Sequence, residues 1–340
     1  MHLLLSDMSS RSQLLIKQLE QKILILDGAI GTMIQQLNLV EKEFRGDLFV
    51  SHSQNIKGNY DILNLYQPEI VKNIYKQYLE AGADIITTNT FNANSISQTN
   101  YGLENHIYEI NYKGAKLACS VAAEYNTPAK PRFVAGSIGP TSQMLSYSIV
   151  VNNPISKGIT FDMLVDSYYD QVRGLYDGGI NIFLIETICD IQNAKAAISA
   201  IKRLYSQTEN EMPIILSATI DKAGRILSGQ TLEDFYVSLK YSEALSFGLN
   251  CAFGAEYLKP YVKLLSKISS TFITVYPNAG LPNEFGQYAQ SATEMANIIE
   301  ELCGAGLVNI VGGCCGTTPE YIAAIANMTA KYKPRKVFKY

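Results

Sequence analysis

Cys314 and Cys315 stand side by side in the stretch Val311-Gly312-Gly313-Cys314-Cys315-Gly316-Thr317-Thr318-Pro319. An apolar run, residues 307–311, leads into it, and Pro319 suits the first turn of a following helix. Adjacent thiols where a strand opens into a glycine-rich turn suit a soft metal, above all zinc. Cys251 offers a third thiol, after the short strand-like run 246–250. Three thiolates without an obvious fourth protein ligand are the donor set of a catalytic zinc with one position open. Spacing alone leaves alternatives: a vicinal Cys314–Cys315 disulfide, a closed structural site with Cys303 as fourth ligand, or thiols acting as small buried hydrophobes. Cys303 lies in a helical stretch before the last strand, which puts it at the opposite end of that strand. Cys119 and Cys189, each flanked by apolar residues, read as packing. His52 and His106 have no ligand spacing and read as surface or packing residues.

Polar residues end other apolar runs. Asp27 follows the run 23–26, and Asn89, Ser137 and Glu186 close the runs around 84–91, 132–139 and 182–187. Asp27 and Glu186 are acidic, which would welcome a substrate ammonium. Each alone is equally a helix N-cap or a solvated charge; as a pair in one pocket they favour binding.

The elements that must position these residues follow a rhythm. Residues 10–21 carry apolar side chains at helical spacing and read as a covering helix. Residues 39–65 are irregular and polar, and read as a long loop. Helical stretches are expected over 69–81, 107–125, 161–176, 191–205, 232–245, 256–269, 293–303 and 319–332. They separate apolar strand-like runs beginning at residues 23, 84, 132, 182, 213, 246, 271 and 307. Eight strands, each followed by a helix, imply a parallel sheet closed into an α/β (β/α)8 TIM barrel. The organisation expected is an N-terminal extension and helix over 1–22, a barrel over 23–332 and a tail over 333–340. Helix-to-strand links are short and glycine-rich, whereas the strand-to-helix links 31–68, 141–160, 221–230 and 277–291 are long. In such a barrel the long loops gather at the C-terminal face of the sheet, where active sites lie. Cys251 and Cys314–Cys315 then end strands six and eight at one face, which strengthens the zinc reading.

Composition narrows the partners. With 340 residues, 47% hydrophobic and a formal net charge of −3, the chain gives no reason to expect nucleic acid or an anionic membrane. Six cysteines without an even framework favour a reducing, cytoplasmic compartment. No signal peptide or membrane span is visible, so the sequon Asn327-Met328-Thr329 is read as chance.

Four segments carry a resemblance: residues 26–33 (LDGAIGTM), Thr88-Asn89-Thr90-Phe91, Gly248-Leu249-Asn250-Cys251 and the Gly312–Pro319 stretch. Together they resemble the zinc-dependent homocysteine S-methyltransferase family. Lys57-Gly58-Asn59-Tyr60-Asp61 and residues 277–283 (PNAGLPN) look like the N-terminal homocysteine-binding module of cobalamin-dependent methionine synthase, and less like the betaine-using relatives. The resemblance runs from about residue 24 to the final helix. It implies Zn2+ on Cys251, Cys314 and Cys315, and homocysteine held by Asp27 and Glu186, with Gly28, Asn89, Ser137 and Asn250 lining the substrate site. It also implies methylcobalamin as external methyl donor, charged from 5-methyltetrahydrofolate by cobalamin- and folate-binding modules of the same or a partner chain. Two alternatives stand beside it: a methyltransferase using betaine or S-methylmethionine, and a non-catalytic zinc-stabilised binding module.

Overall fold

The computed structural model describes residues 9–147, 158–208, 210–284 and 288–337. Parts of the 141–160 and 277–291 links, the first residues of the N-terminal extension and the last of the tail lie outside them.

Eight parallel strands form the sheet: β1 Leu24–Ile25, β2 Ile85–Thr87, β3 Phe133–Ile138, β4 Ile182–Ile188, β5 Ile214–Ala218, β6 Ser246–Gly254, β7 Phe272–Asn278 and β8 Ile310–Val311. From β3 on, each pairs with the strand before it in sequence, and β1 pairs with β8. Closure between β1 and β2 rests on a parallel bridge, Leu26 to Ile85. It is flanked by the hydrogen bonds Asp84 N–H to Ile25 O (2.7 Å) and Asp27 N–H to Ile85 O (3.0 Å). The result is the expected (β/α)8 barrel.

Side chains alternate along each strand, so one set fills the barrel and the other meets the helices. Leu24, Leu26, Ile85, Phe133, Ile182, Leu184, Ile215, Phe272 and Ile310 pack into the interior. Ile25, Ile86, Val134, Phe183, Leu216, Phe247 and Val275 belong to the outer layer beneath the helices. The helix Ser10–Gln21 is capped by the Ser9 side chain and joins Leu15, Ile16 and Leu19 to the interior cluster, as a covering helix should. Val337 of the tail packs on the same cluster, and the Arg335 guanidinium donates to the carbonyls of Ser266, Ser269 and Thr271.

Two expectations change. The 39–65 stretch is not a plain loop, for the β1-to-helix link folds into Ile30–Gln36, Glu41–Arg45, Tyr60–Ile62 and Leu63–Tyr66. Its polar pattern hides buried anchors at single positions, Phe44, Phe49, Ile56 and Ile62. The helix from Leu232 stops at Leu239 and ends in a single 3-10 turn, after which Glu243 takes a left-handed φ of 57°. Among the described residues no helix is long and apolar enough to cross a membrane.

Candidate functional site

The C-terminal ends of the strands surround a cavity of about 620 Å³. Asp27, Gly28, Asn89, Ser137, Glu186, Cys251, Cys314 and Cys315 all line it, joined by Thr87, Asp61, Thr187, Tyr276 and Tyr288.

The three thiols are the one group among the described residues whose side chains could together hold a metal ion, their sulfurs lying within 4.8 Å of one another. Cys251 Sγ is 3.8 Å from Cys315 Sγ, and Cys314 Sγ is 4.0 Å from Cys315 Sγ. At 4.0 Å the vicinal disulfide is absent. Cys303 is buried in the helix Ala292–Gly304, outside the cluster, so it closes no four-cysteine site. A tetrahedron with zinc–sulfur bonds of about 2.3 Å has sulfur–sulfur edges of about 3.8 Å, so these spacings fit one ion. The charge pattern fits too. Cys251 is held well below the usual thiol range by hydrogen bonds from Cys314 and Cys315, while sharing protons with it holds both of those higher. A cation there would favour the thiolate form of all three. Beside it, Asn278 Oδ1 is buried without a hydrogen-bond partner among the described residues, although the Asn278 side chain reaches Cys251.

Local backbone aims these sulfurs. Cys251 and Ala252 both adopt φ of 58°, and the β6–β7 register shifts between Cys251 and Gly254. This bulge turns the strand end inward. On the β8 side, Cys314 N–H bonds Pro277 O at 2.7 Å, and Thr317 Oγ1 donates to Cys314 O while accepting from Ala29 N–H. Gly316 takes φ of 82° with the Tyr288 ring against it; a Cβ would stand 2.3 Å from that ring. Glycine is therefore required there.

The acids stand on a second arc, β1 to β4: Asp27 borders the cysteine turn, Gly313 N–H bonding Asp27 O at 3.1 Å, and Glu186 belongs to β4. Asp27 caps no helix: the following helix has Ala29 at its N-cap, without a side-chain bond. Its carboxylate instead accepts from Thr87 N–H (2.8 Å) and Thr87 Oγ1 (3.1 Å). Glu186 accepts from Ser137 Oγ (2.5 Å) and from the Tyr276 hydroxyl (3.1 Å). Burial drives both carboxyls up, Asp27 well above the usual range and Glu186 to about 7. Asp61, also on the cavity wall, rises to about 7 for the same reason. Among the described residues no lysine or arginine lines the cavity, so these acids lack a cationic partner there.

Two expected substrate-site residues carry hydrogen bonds within the protein, and of these Asn89 lines the cavity. Asn89 donates its amide to Tyr60 O (2.7 Å) and Asn64 Oδ1 (3.3 Å), supporting the rim. Asn250 is fully buried and absent from the cavity wall; its amide is bonded to Thr187 and Ser217. Gly28 lines the wall and leaves room for Thr317 Oγ1 and Tyr78, which a Cβ would meet at 2.8 Å. Sequence reasoning does not single out Thr87, Thr317, Tyr276 or Tyr288. The available signal is position: Thr87 and Tyr276 end apolar runs in the same way as Asp27 and Glu186.

Residues 24–329 match the family described as homocysteine S-methyltransferase. Among solved structures, the oxidized form of the homocysteine methyltransferase MmuM from Escherichia coli aligns with a TM-score of 0.73 at 21% identity, over 94% of this chain and 99% of that one. The metallated form of the same protein gives 0.71 at 21% identity over 94% and 99%. Its apo form gives 0.68 at 20% over 94% and 100%. At such identities the structural likeness speaks for the fold, while the family match spans nearly the whole barrel, and the chain belongs to the homocysteine S-methyltransferase family.

Proposed function

We propose that this chain binds homocysteine between its two arcs, sulfur at Cys251, Cys314 and Cys315 and ammonium at Asp27 and Glu186, and methylates it to methionine. The observation that carries the reading is the pairing, in one cavity, of a three-thiol cluster with buried acids that have no cationic partner among the described residues. A substrate with a thiol at one end and an ammonium at the other satisfies both. The aligned Escherichia coli protein, a homocysteine methyltransferase with a metallated form, supports it.

Cys251, Cys314 and Cys315 would hold the metal, with Asn278 Oδ1 as a further oxygen beside them. Zinc, when bound there, lowers the pKa of a coordinating thiol so that it stands as thiolate at neutral pH. The chain's own residues orient the nucleophile. Thr87 fixes the Asp27 carboxylate, and Ser137 and Tyr276 fix that of Glu186, so the ammonium end is held and the sulfur faces the cavity. The carbon–sulfur bond forms as the donor–carbon bond breaks, and the electron pair leaves with the donor. No protein acid is needed for that displacement.

For the donor we favour methylcobalamin, presented from outside by a cobalamin-binding module. In support, Tyr60, Asp61 and Pro282, from the two stretches that resemble methionine synthase, lie on the cavity wall. A second reading, a small sulfonium or quaternary ammonium donor, draws on the same cavity: its lining includes the Tyr60, Phe91 and Tyr288 rings and the Asp61 carboxyl, groups such a cation prefers. Methionine formation from homocysteine, assayed with methylcobalamin, S-methylmethionine and betaine side by side, tests both. Turnover with methylcobalamin is expected; turnover with an onium donor and none with methylcobalamin selects the second reading, and none with any donor refutes both.

A further inference from the structure

Thr187 follows Glu186 directly and adopts φ of 55°, a left-handed conformation that a β-branched residue takes only when something holds it. The β4–β5 register shifts at this point, between Ile185 and Ile188. What holds Thr187 is Asn250. Thr187 N–H donates to Asn250 Oδ1 at 3.0 Å, and Asn250 Nδ2 donates to Thr187 Oγ1 at 2.8 Å. The same amide is locked from two further sides. Ser217 Oγ of β5 donates to Asn250 Oδ1 at 2.7 Å, and Asn250 Nδ2 lies 4.0 Å from Cys314 Sγ. Asn250 is 0% exposed and immediately precedes the left-handed pair Cys251–Ala252. One planar side chain thus joins the bulge that carries the acid on β4 to the bulge that carries a thiol on β6.

We propose that Asn250 is a positioning residue: by holding Thr187 in its left-handed conformation it sets the aim of Glu186 relative to the cysteine sulfurs. The inference rests on the assignment of Glu186 to the substrate ammonium. An amide suits the task because it donates and accepts in one plane, meeting both polar groups of Thr187 at once. Asn250 does not line the cavity; it reaches the ammonium end through the β4 backbone, whereas its contact with Cys314 bears on the sulfur end, which both test ligands share. Glycine at position 187 would adopt a positive φ without that support.

The test uses the zinc-loaded chain and two ligands, homocysteine and 4-mercaptobutyrate, which differ only by the ammonium. The readout is the ratio of their dissociation constants. In Asn250→Ala this preference should collapse by about tenfold or more, the worth of a hydrogen-bonded charge contact. Adding Thr187→Gly to Asn250→Ala should restore most of it, an outcome that general loosening of the barrel would not give. An unchanged preference in Asn250→Ala, or no recovery with glycine, overturns the proposal. If Asn250→Ala does not fold or load zinc, Asn250→Asp serves, since it keeps the acceptor for Thr187 N–H and loses the donor to Thr187 Oγ1. A partial loss of preference is then expected, and none overturns the proposal. A wild-type chain that binds both ligands equally would instead refute the ammonium assignment itself.

Discussion

Replacing Glu186 by glutamine keeps the side-chain shape and removes the charge, which makes it a direct probe of the acidic arc. The Glu186 carboxyl stands at about 7 rather than 4.5, chiefly because burial opposes its ionised form. At about 1.4 kcal/mol per pH unit, ionising it costs the empty cavity at most about 3 kcal/mol. A carboxyl raised in the folded state favours folding while protonated. Its contribution is complete below pH 4.5 and is lost as the pH rises through about 7. Urea unfolding of wild type and Glu186→Gln, with equal metal loading, should therefore diverge with pH. The two should match near pH 4.5, and the variant should gain up to about 3 kcal/mol on wild type by pH 8. Ligand binding supplies the reciprocal result. A bound ammonium favours the ionised acid, so wild-type affinity for 2-aminobutyrate, which has the ammonium but no thiol, should climb from pH 6 to pH 8. The rise should be shallower in Glu186→Gln, where Asp27 alone remains. Parallel stability curves for the two proteins, or identical pH profiles of affinity, would refute the claim that burial leaves this acid waiting for a cation.

Replacing Cys251, Cys314 or Cys315 by alanine should lower zinc affinity at least roughly a hundredfold, read by metal content after dialysis, while circular dichroism stays that of the barrel; full zinc retention in all three removes the assignment. Asp27→Asn should weaken homocysteine by about 1.5–3 kcal/mol in calorimetry and leave zinc bound, with much less effect on 4-mercaptobutyrate. Gly248→Ala should destabilise the fold by about 1–3 kcal/mol, seen as a lower urea midpoint, because the new Cβ would stand 2.3 Å from the Thr274 carbonyl on the neighbouring strand.

The barrel is legible in the sequence because its period is set by burial on both faces of each strand. Runs such as Phe133–Ile138 are buried at every position and leave little choice of element. The thiol cluster is legible because strand order converts sequence spacing into position: runs six and eight must end at one face, two strands apart. What composition cannot carry is the use made of each polar side chain. Asn89 and Asn250 are polar residues at strand ends, like Ser137, yet their amides are consumed by backbone groups and by Thr187. An amide satisfies its neighbours as readily as a ligand, and only the placement of those neighbours decides. The 39–65 stretch resists reading for a related reason: its buried anchors are too widely spaced to give a helical period.

Two contacts explain how arcs so far apart in sequence act as one site. Tyr276 of β7 reaches across the interior to Glu186 of β4, and Asn250 of β6 reaches past Ser217 of β5 to Thr187. Both leave the half of the barrel that bears the cysteines and end on the half that bears the acids. Under the proposed binding mode, the distance from Glu186 to the thiol cluster is therefore set by side chains buried within the barrel, Tyr276 at 3% and Asn250 at 0% exposure. Such buried polar bridges are costly unless fully satisfied, and these are satisfied on both ends. On that reading a loop can vary to receive a different donor while the proposed ammonium-to-sulfur distance stays fixed. By the same logic, rim-loop substitutions that leave both bridges and both acids in place should change donor use without changing the preference for the amino thiol.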